Sequence, residues 1–390
     1  MAREPYIDPE AFKREAEQLA GASEWGGDGF EEAYERFIAA LNAEAELTPQ
    51  GVKRTRSHIR KLLVGRLKLF RDRQLYDDVA REEIRAPLFL TGQSRSGTSY
   101  FNALLACDER NHALSHWQVW TLSPPPGLPG VDTAPLVAAG ERFIEFEGWQ
   151  DPDVRTTHNY TATNAAEDLM LHDYAFRSGS FRFFWNVPSF AAWLQTESVA
   201  PIYRFEKKAL QALQYGRQRD RWVLKTPSHL RHLDELFAEF PDARVVVNHR
   251  DPVKCLGSIV SMLKAHRKQF GNAPVDVGRD FMLASMEGTA RNLERLIARR
   301  KDPEMDKRFV DVDYLRLEAD PLGEVEKAYA RHGVAFTDAA RKSMERHVAE
   351  NRKGKFGAHK YDVTDTGLRV EEIRDRFKFY TDHYDIRYEA

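Results

Sequence analysis

The sequence predicts an α/β fold: a central parallel sheet with helices on both faces, preceded by an N-terminal helical extension over residues 1–85. Two observations lead to this prediction. Before residue 86 the apolar residues follow helical spacing, and from residue 86 onward short apolar runs alternate with helix-like segments. Such alternation is typical of a three-layer parallel α/β sheet. The strand-like runs are APLFLTG, RWVLKTP (221–227), ARVVVNHRDP (243–252) and RFVDVDYLRL.

Three helices are predicted in the extension. DPEAFKREAEQLAG has an Asp cap, a Pro at the first helical position and a final Gly. GFEEAYERFIAALNAEAEL places Phe30, Tyr34, Phe37, Ile38 and Leu41 on one face. TPQGVKRTRSHIRKLLVGRLKLFRDR is basic with an apolar stripe, which fits a membrane-surface or partner helix, or a packed helix with solvated Arg and Lys stems. We favour the packed helix.

The composition argues against several classes of protein. The chain has 390 residues and a formal net charge of -2, which gives no support to a nucleic-acid partner. Its length suits one large α/β domain with helical additions, or two domains. Cys107 and Cys255 are predicted to be buried free thiols, since two cysteines make no disulfide framework. With no signal-peptide pattern and no apolar run of about 20 residues, a cytoplasmic location is expected.

Residues 117–205 are rich in aromatic side chains and irregular in pattern, and they are predicted to form a helical, aromatic insertion. Such an insertion can line a pocket for an apolar substrate, or it can form the core of a helical subdomain. Both interpretations stay open at this point.

The segment LFLTGQSRSGTSYFNALL (88–105) predicts an anion-binding loop between a strand and a helix. Thr98 stands where a nucleotide triphosphatase loop has its lysine, and Arg95 supplies a charge inside the loop. Backbone N–H groups at a helix N-terminus attract phosphate or sulfate, and a guanidinium suits tetrahedral oxyanions. A tight turn without a ligand is the alternative. The loop residues are Gly92, Gln93, Ser94, Arg95, Ser96, Gly97, Thr98 and Ser99.

Two further motifs bear on anion binding. In NHRDPVKCLGSIVS, Arg250 ends a strand-like run and Ser258 lies eight residues on, inside the next predicted helix. The pair predicts a second phosphate pocket, and a structural salt bridge from Arg250 to Asp251 or a neighbouring acid is the alternative. ENRKGKFGAHKY (350–361) is basic and contains two glycines, which fits a closing flap or a solvated loop.

These three elements, in this order, resemble the sulfotransferases that use 3′-phosphoadenosine 5′-phosphosulfate (PAPS), in particular the bacterial family whose loop reads Gly-x-x-Arg-[Ser/Thr]-Gly-Thr-[Ser/Thr]. The resemblance runs from about residue 86 to the C-terminus and is also carried by SPPPG, VPSFAAWL, LKTPSHLRHLDELFAEFP and DPLGEVEKAYARHG. It implies a P-loop-like fold over residues 86–390, with residues 117–205 on the acceptor side. PAPS is then the co-substrate and 3′-phosphoadenosine 5′-phosphate (PAP) the product, and no metal is required.

The resemblance also implies roles for single residues. Gly92 to Ser99 cradle the 5′-phosphate, with Arg95 reaching the bridging or sulfuryl oxygens. Arg250 and Ser258 bind the 3′-phosphate, and Lys225 stabilises the leaving group together with Arg95. The closing basic segment is Arg352, Lys353 and Gly354.

The general base is where this sequence departs from the family. Related members have a Trp-Glu pair after the first helix, whereas SHWQVW has Gln118 in the glutamate position. His116 lies 21 residues after Arg95, the spacing at which the tyrosylprotein sulfotransferases place their catalytic glutamate. On a strand or extended loop, residues 116 and 118 face the same side, so we predict His116 as the base. Other candidates are Glu167, Asp168, His158, His172 and His229, and a weak or altered enzyme is a further alternative.

The predicted function is transfer of a sulfuryl group from PAPS to a hydroxyl group, less readily to an amine, on a small or lipid-like acceptor. A P-loop kinase or nucleotide hydrolase is the first alternative. It is disfavoured because no Lys follows Gly97 and no metal-binding acid pair is apparent. A non-catalytic PAPS- or nucleotide-binding protein is the second, because of Gln118. The sequence leaves a homodimer open.

Overall fold

The structure is a computed structural model that describes residues 4–157, 160–272, 278–351 and 367–389. The strands are β1 (Leu88–Gly92), β2 (Asn111–Ala113), β3 (Arg221–Lys225), β4 (Arg244–His249) and β5 (Phe309–Asp313). The helices are α1 (Pro9–Ala20), α2 (Phe30–Glu44), α3 (Pro49–Leu75), α4 (Asp77–Arg81), α5 (Thr98–Leu105), α6 (His116–Trp120), α7 (Ala134–Phe146), α8 (Pro152–Thr157), α9 (Leu169–His172), α10 (Phe181–Phe184), α11 (Pro188–Leu194), α12 (Ala200–Gln214), α13 (Leu233–Glu239), α14 (Pro252–Arg267), α15 (Arg279–Arg299), α16 (Pro303–Asp306), α17 (Tyr314–Ala319), α18 (Pro321–Arg331), α19 (Asp338–Glu350) and α20 (Val370–Tyr384). Short 3₁₀ turns span Asp173–Ala175 and Pro227–Arg231.

The chain divides into two compact units. The helical unit comprises Met1–Ile84, Leu114–Arg219 and Leu263–Pro274, and the sheet unit comprises Arg85–Ala113, Asp220–Met262 and Val275–Ala390. The N-terminal helices and the aromatic segment therefore belong to one unit, and the predicted anion-binding loop belongs to the other. The boundaries predicted for a catalytic domain and its insertion stay predictions.

The sheet of the sheet unit is entirely parallel, with the strand order β2-β3-β1-β4-β5. Its central strand, β1, pairs with β3 on one side and β4 on the other. In this register Leu90 is aligned with Lys225, and Gly92 with Asn248. The three central strands, β1, β3 and β4, carry apolar runs, as expected for strands covered by helices on both faces. The predicted α/β class with a central parallel sheet is confirmed.

Each face of the sheet has its own layer of side chains. On one face Leu90 and Val246 pack against α5, α18 and α19 in a buried apolar cluster. On the other, the Phe89 ring lies 5.3 Å from that of Phe240, and the Phe309 ring 5.8 Å from that of Phe237. Each fully buried aliphatic or aromatic side chain of this size contributes about 1.5–3 kcal/mol. The two layers fix the strand ends on which the polar motifs lie.

The first two helices of the helical unit follow the sequence prediction. Asp8 accepts a hydrogen bond from the backbone N–H of Ala11 (2.8 Å), and α1 ends at Gly21 in the left-handed conformation (φ 62°). In α2 the five apolar residues predicted to share one face are all buried. Local capping and spacing were sufficient to predict both helices.

Helix α3 is more deeply buried at Arg66 than its basic sequence suggests. Thr48 caps it by accepting from the Gly51 N–H (2.9 Å). The guanidinium of Arg66 is buried, and it donates to the backbone oxygens of Trp25 (2.6 Å) and Tyr174 (3.0 Å). The packed interpretation of this helix is supported, but solvated stems were the wrong expectation at Arg66.

The aromatic segment alternates short helices with irregular stretches. It contains α7 to α12, and most of its aromatic side chains are core residues. The Trp149 and Phe184 rings stack with centroids 5.9 Å apart, and Trp185 packs edge-on against Phe270 at 5.3 Å. Of the two interpretations of this segment, the core of a helical unit is the one supported here. Within the described ranges, no helix is both long and apolar enough to cross a bilayer.

Candidate active site

The glycine-rich loop joins the end of β1 to the start of α5, as predicted. Gly92 has φ 143°, and a Cβ atom there would lie 2.3 Å from the backbone oxygen of Asn248. Arg95 and Gly97 also have positive φ values, 71° and 88°. These conformations turn the chain sharply between strand and helix. The close approach to β4 leaves room for no side chain at position 92.

The start of α5 is suited to an anion. Its N-cap residue is Gly97, which supplies no side-chain acceptor for the N–H groups of the first turn. Those N–H groups and the helix dipole give positive potential at this end of the helix. The loop is stiffened by Ser96, whose backbone N–H and hydroxyl both donate to the Gln93 oxygen (3.2 and 2.7 Å). A preformed cradle of this kind binds phosphate or sulfate oxygens.

Lys225 reaches the loop from the neighbouring strand. It is the last residue of β3, is 2% exposed, and donates from Nζ to Ser99 Oγ at 2.9 Å. The turn that follows is fixed to β1 by Thr91, whose hydroxyl donates to the Pro227 oxygen (3.2 Å) and accepts from the Leu230 N–H (2.9 Å). A buried ammonium is thereby held beside the first turn of α5.

Arg250 reaches the loop from the other side, at the residue after β4. Its Nη1 donates to the backbone oxygen of Arg95 at 2.8 Å. Its Nε and Nη2 donate to the two carboxylate oxygens of Glu389 at 2.7 and 2.8 Å, and its guanidinium lies 3.7 Å from the Tyr314 ring centroid. Burial would lower the pKa of Arg250, but the hydrogen bonds that its guanidinium donates to Glu389 outweigh this effect and hold the pKa above its ordinary value. The salt bridge weighed as an alternative is present, with Glu389 rather than Asp251 as the partner.

A buried polar chain supports the end of β4. His249 hydrogen-bonds Asp311 through Nε2 (2.8 Å) and the Tyr380 hydroxyl through Nδ1 (3.1 Å), and Asp311 accepts from both Nη atoms of Arg300 (2.5 and 2.8 Å). Burial lowers the pKa of His249 despite the nearby carboxylate. Burial opposes ionisation of Asp311 as well, but the hydrogen bonds from His249 and Arg300 hold the pKa of Asp311 well below its usual range. The residue before Arg250 is thus held by a network that contains the ion pair of Asp311 and Arg300.

The segment with His116 and Gln118 is not extended, so the expectation that their side chains share one side of a strand or loop was wrong. Both lie in α6 of the helical unit. Oε1 of Gln118 accepts from the backbone N–H (3.0 Å) and the hydroxyl (2.9 Å) of Ser115, which forms a capping box. His116 is buried, and its ring packs edge-on against Tyr160 at 5.1 Å. Gln118 therefore has a structural role, and the role of His116 stays a prediction.

The other candidate bases fall into different surroundings. His229 lies in the turn after β3, with its ring against Phe89 at 4.8 Å. Asp168 and His172 lie at the two ends of α9, both buried. Glu167 directly precedes Asp168, and His158 lies outside the described residues.

Asp168 and His172 meet Glu206 of α12 in a buried group. The His172 Nε2 and Glu206 Oε2 atoms are 3.2 Å apart, and one ligand atom from each of the three residues lies within 4.8 Å of the others. Burial, together with the facing Asp168 carboxyl, raises the pKa of Glu206 well above its ordinary value. Within the described residues this group has the donor set for a metal ion, and a shared proton between the carboxyls satisfies the same geometry.

Several predicted residues have no described side chain. Ser258 lies about two turns inside α14, which begins at Pro252 as expected, and only its backbone is described. The closing segment Arg352, Lys353 and Gly354 lies outside the described residues. Of the two free cysteines, Cys255 is buried as predicted, but Cys107 is only half-buried.

Sequence reasoning missed three residues: Glu389, Tyr314 and Glu206. Tyr314 directly follows β5 at the same edge of the sheet as the other motifs, and that position was a usable signal. Glu389 is 139 positions from its partner Arg250, and Glu206 is 34 from His172. No local pattern connects residues so far apart.

The parallel sheet and the glycine-rich loop between β1 and α5, with cationic side chains from both neighbouring strand ends, place the protein in the P-loop-like α/β class. Comparison with known proteins gives the family. Residues 87–338 match the sulfotransferase family. The chain is similar to sulfotransferase STF1 from Mycobacterium tuberculosis H37Rv (30% identity, TM-score 0.80, covering 96% of this chain and 99% of that one). It is also similar to sulfotransferase STF9 from Mycobacterium avium (27% identity, TM-score 0.85, 98% and 97% covered).

A curated relative is omega-hydroxy-beta-dihydromenaquinone-9 sulfotransferase Stf3 of Mycobacterium bovis and Mycobacterium tuberculosis. It is 23% identical over 322 residues, which are 75% of this chain and 75% of the relative. This chain belongs to the sulfotransferase family. It is a transferase that moves a sulfuryl group from a donor, and the resemblance noted in the sequence is confirmed.

Proposed function

We propose that the protein transfers the sulfuryl group of PAPS to a hydroxyl group of a lipid-like acceptor. One observation carries the choice of donor: Lys225 and Arg250, from the strands on either side of β1, both bond to the loop that follows it. A donor with a 5′-phosphosulfate and a separate 3′-phosphate needs two cationic places at one sheet edge. Ligands of parallel α/β sheets bind at this carboxyl edge.

The two cations suit different ends of PAPS. The loop from Gly92 to Ser99 and the start of α5 offer backbone N–H groups to the 5′-phosphate, and Lys225 beside Ser99 supplies charge for the bridging oxygen. The Nε and Nη2 groups of Arg250 form an edge that is occupied by the Glu389 carboxylate. A phosphate can accept the same two hydrogen bonds. We assign this edge to the 3′-phosphate. Ser258 and the segment from Arg352 to Gly354 belong to the same proposal.

The reaction we propose is an in-line displacement at sulfur. The acceptor oxygen forms a bond to sulfur, the bond from sulfur to the bridging oxygen breaks, and that oxygen leaves with the electron pair as part of PAP. The ammonium of Lys225 stabilises the charge that develops there, and Arg95 of the loop shares this role. The hydroxyl proton passes to a general base, for which His116 is our candidate.

The lipid-like acceptor is supported by the name of a relative and no longer by the aromatic segment. Stf3 is named as acting on a hydroxylated menaquinone. In this chain most aromatic side chains of residues 117–205 are packed in the helical unit. A cytoplasmic location and a homodimer stay predictions.

Turnover of labelled PAPS with a panel of hydroxylated acceptors tests the proposal. We expect transfer to long-chain or prenylated alcohols and tight binding of PAP in calorimetric titration. Titration with ATP is the control, because a P-loop kinase binds it and a PAPS enzyme has no need to. Tight binding of ATP without binding of PAP would exclude the proposed donor.

Replacing Arg250 with Ala removes the charged partner of the 3′-phosphate. A hydrogen bond to a charged group contributes about 1.5–3 kcal/mol, so the affinity for PAP should fall by at least about tenfold. Calorimetry measures the loss, and Arg346→Ala, an exposed arginine on α19, is the matched control. An Arg250→Ala protein that is folded and binds PAP as the wild type does would refute the assignment.

Replacing Lys225 with Ala should act mainly on the chemical step. The charge it faces is complete only in the transition state, so kcat should fall more than PAP affinity does. Lys342→Ala on α19, which is exposed, controls for loss of a lysine. If affinity falls while kcat persists, Lys225 is a ground-state binding residue.

Replacing His116 with Ala should lower the rate by about 10²–10⁴-fold if His116 is the base, with PAP binding nearly intact. In the wild type the rate should rise with pH as an imidazole loses its proton, and that rise should vanish in the variant. Gln118→Glu is the control, since a carboxylate oxygen accepts the same two bonds from Ser115. Wild-type turnover in His116→Ala would move the role to another group such as Glu167 or Asp168.

A further inference from the structure

The Arg250–Glu389 pair has the geometry of phosphate recognition. Both carboxylate oxygens face the guanidinium edge formed by Nε and Nη2, at 2.7 and 2.8 Å. This two-point contact is the one an arginine makes with two oxygens of a phosphate. A further hydrogen bond, from Nη1 to the Arg95 oxygen, and the stacking on Tyr314 hold the guanidinium from other directions.

The segment that carries Glu389 is held at defined points. Helix α20 ends at Asp385 in the left-handed conformation (φ 52°), and the Ile386 N–H donates to the Thr381 oxygen at 2.9 Å. The Glu389 N–H then donates to Asp251 Oδ2 at 2.9 Å. The Glu389 side chain is 15% exposed and that of Arg250 16%, so the ion pair is largely shielded from water.

A carboxylate and a 3′-phosphate cannot share this edge. They need the same N–H groups, and their like charges repel. A phosphate carries about -1.5 to -2 charges against one for a carboxylate, so the phosphate forms the stronger pair once the carboxylate has moved. With the 3′-phosphate assigned to this edge, as proposed above, binding of the ligand requires Glu389 to separate from Arg250.

Resting on the function proposed above, we propose that Glu389 competes within the chain for the 3′-phosphate position and thereby determines the affinity for PAP and PAPS. The apparent dissociation constant of a ligand equals the intrinsic one divided by the fraction of protein with a vacant site. Weaker binding of the product speeds its release. Glu389 is then an affinity-determining residue of the sulfuryl-transfer cycle.

The Glu389 charge should affect the binding of ligands that carry a 3′-phosphate and not the binding of those that lack it. Adenosine 5′-phosphate (AMP) has the 5′-phosphate of PAP but nothing that needs the Arg250 edge. Its binding leaves the Arg250–Glu389 pair in place. Removal of the Glu389 charge should therefore affect PAP and leave AMP unchanged.

The test is calorimetric titration of Glu389→Gln with PAP and with AMP. We expect the dissociation constant for PAP to fall by about tenfold. A change of this size results when the fraction of molecules with a vacant Arg250 edge rises from about a tenth to nearly all. Glu371→Gln, the same change at an exposed position at the start of α20, should bind both ligands as the wild type does. Glu389→Ala is the second variant should Gln at this position prevent folding.

A double-mutant cycle locates the effect. In an Arg250→Ala protein there is no guanidinium for Glu389 to occupy. Adding Glu389→Gln to this protein should therefore bring no gain in PAP affinity. Unchanged or weaker PAP binding by Glu389→Gln, with normal binding by the wild type, would overturn the competition and leave the proposed function standing. A wild-type protein that binds no PAP would overturn both.

Discussion

The pairing of β1 with β3 on one side and β4 on the other is the constraint on which the site depends. Parallel register places Lys225 opposite Leu90 and Asn248 opposite Gly92, so the residues that follow emerge at one edge. Gly92 permits this because the backbone of β4 occupies the space a side chain would need. Groups more than a hundred positions apart in the chain are thereby brought within hydrogen-bond distance of one loop.

Much of this arrangement could be predicted from sequence because its signals are local. A cap, a proline and a terminal glycine mark α1, and apolar runs followed by polar motifs mark the ends of β1, β3 and β4. The partner of Arg250 could not be predicted, since nothing in HRDP specifies a glutamate beyond α20. Gln118 is a different case. Ser115-x-x-Gln118 is a recognisable capping box, a local pattern that indicates a structural role for Gln118.

The aromatic segment illustrates a limit of composition. Tryptophan and phenylalanine are equally suited to a helical core and to an acceptor pocket, and spacing separates the two only when the surrounding helices are recognised. Here Phe184 stacks on Trp149 and packs edge-on against Trp185 inside the helical unit. Composition does not predict the group formed by His172 and Glu206 either, because its members come from separate helices. Packing of whole helices, not residue type, decides what such side chains do.

The buried thiol behind Arg250 has a consequence for redox behaviour. Burial raises the pKa of Cys255 to about 12, even though the nearby guanidinium opposes the shift. The thiolate is the species that reacts with peroxide, disulfides and alkylating reagents, so this side chain stays protonated and inert at neutral pH. Burial also raises the pKa of the half-buried Cys107. At neutral pH both thiols are therefore held in the protonated form, which reacts slowly with these reagents.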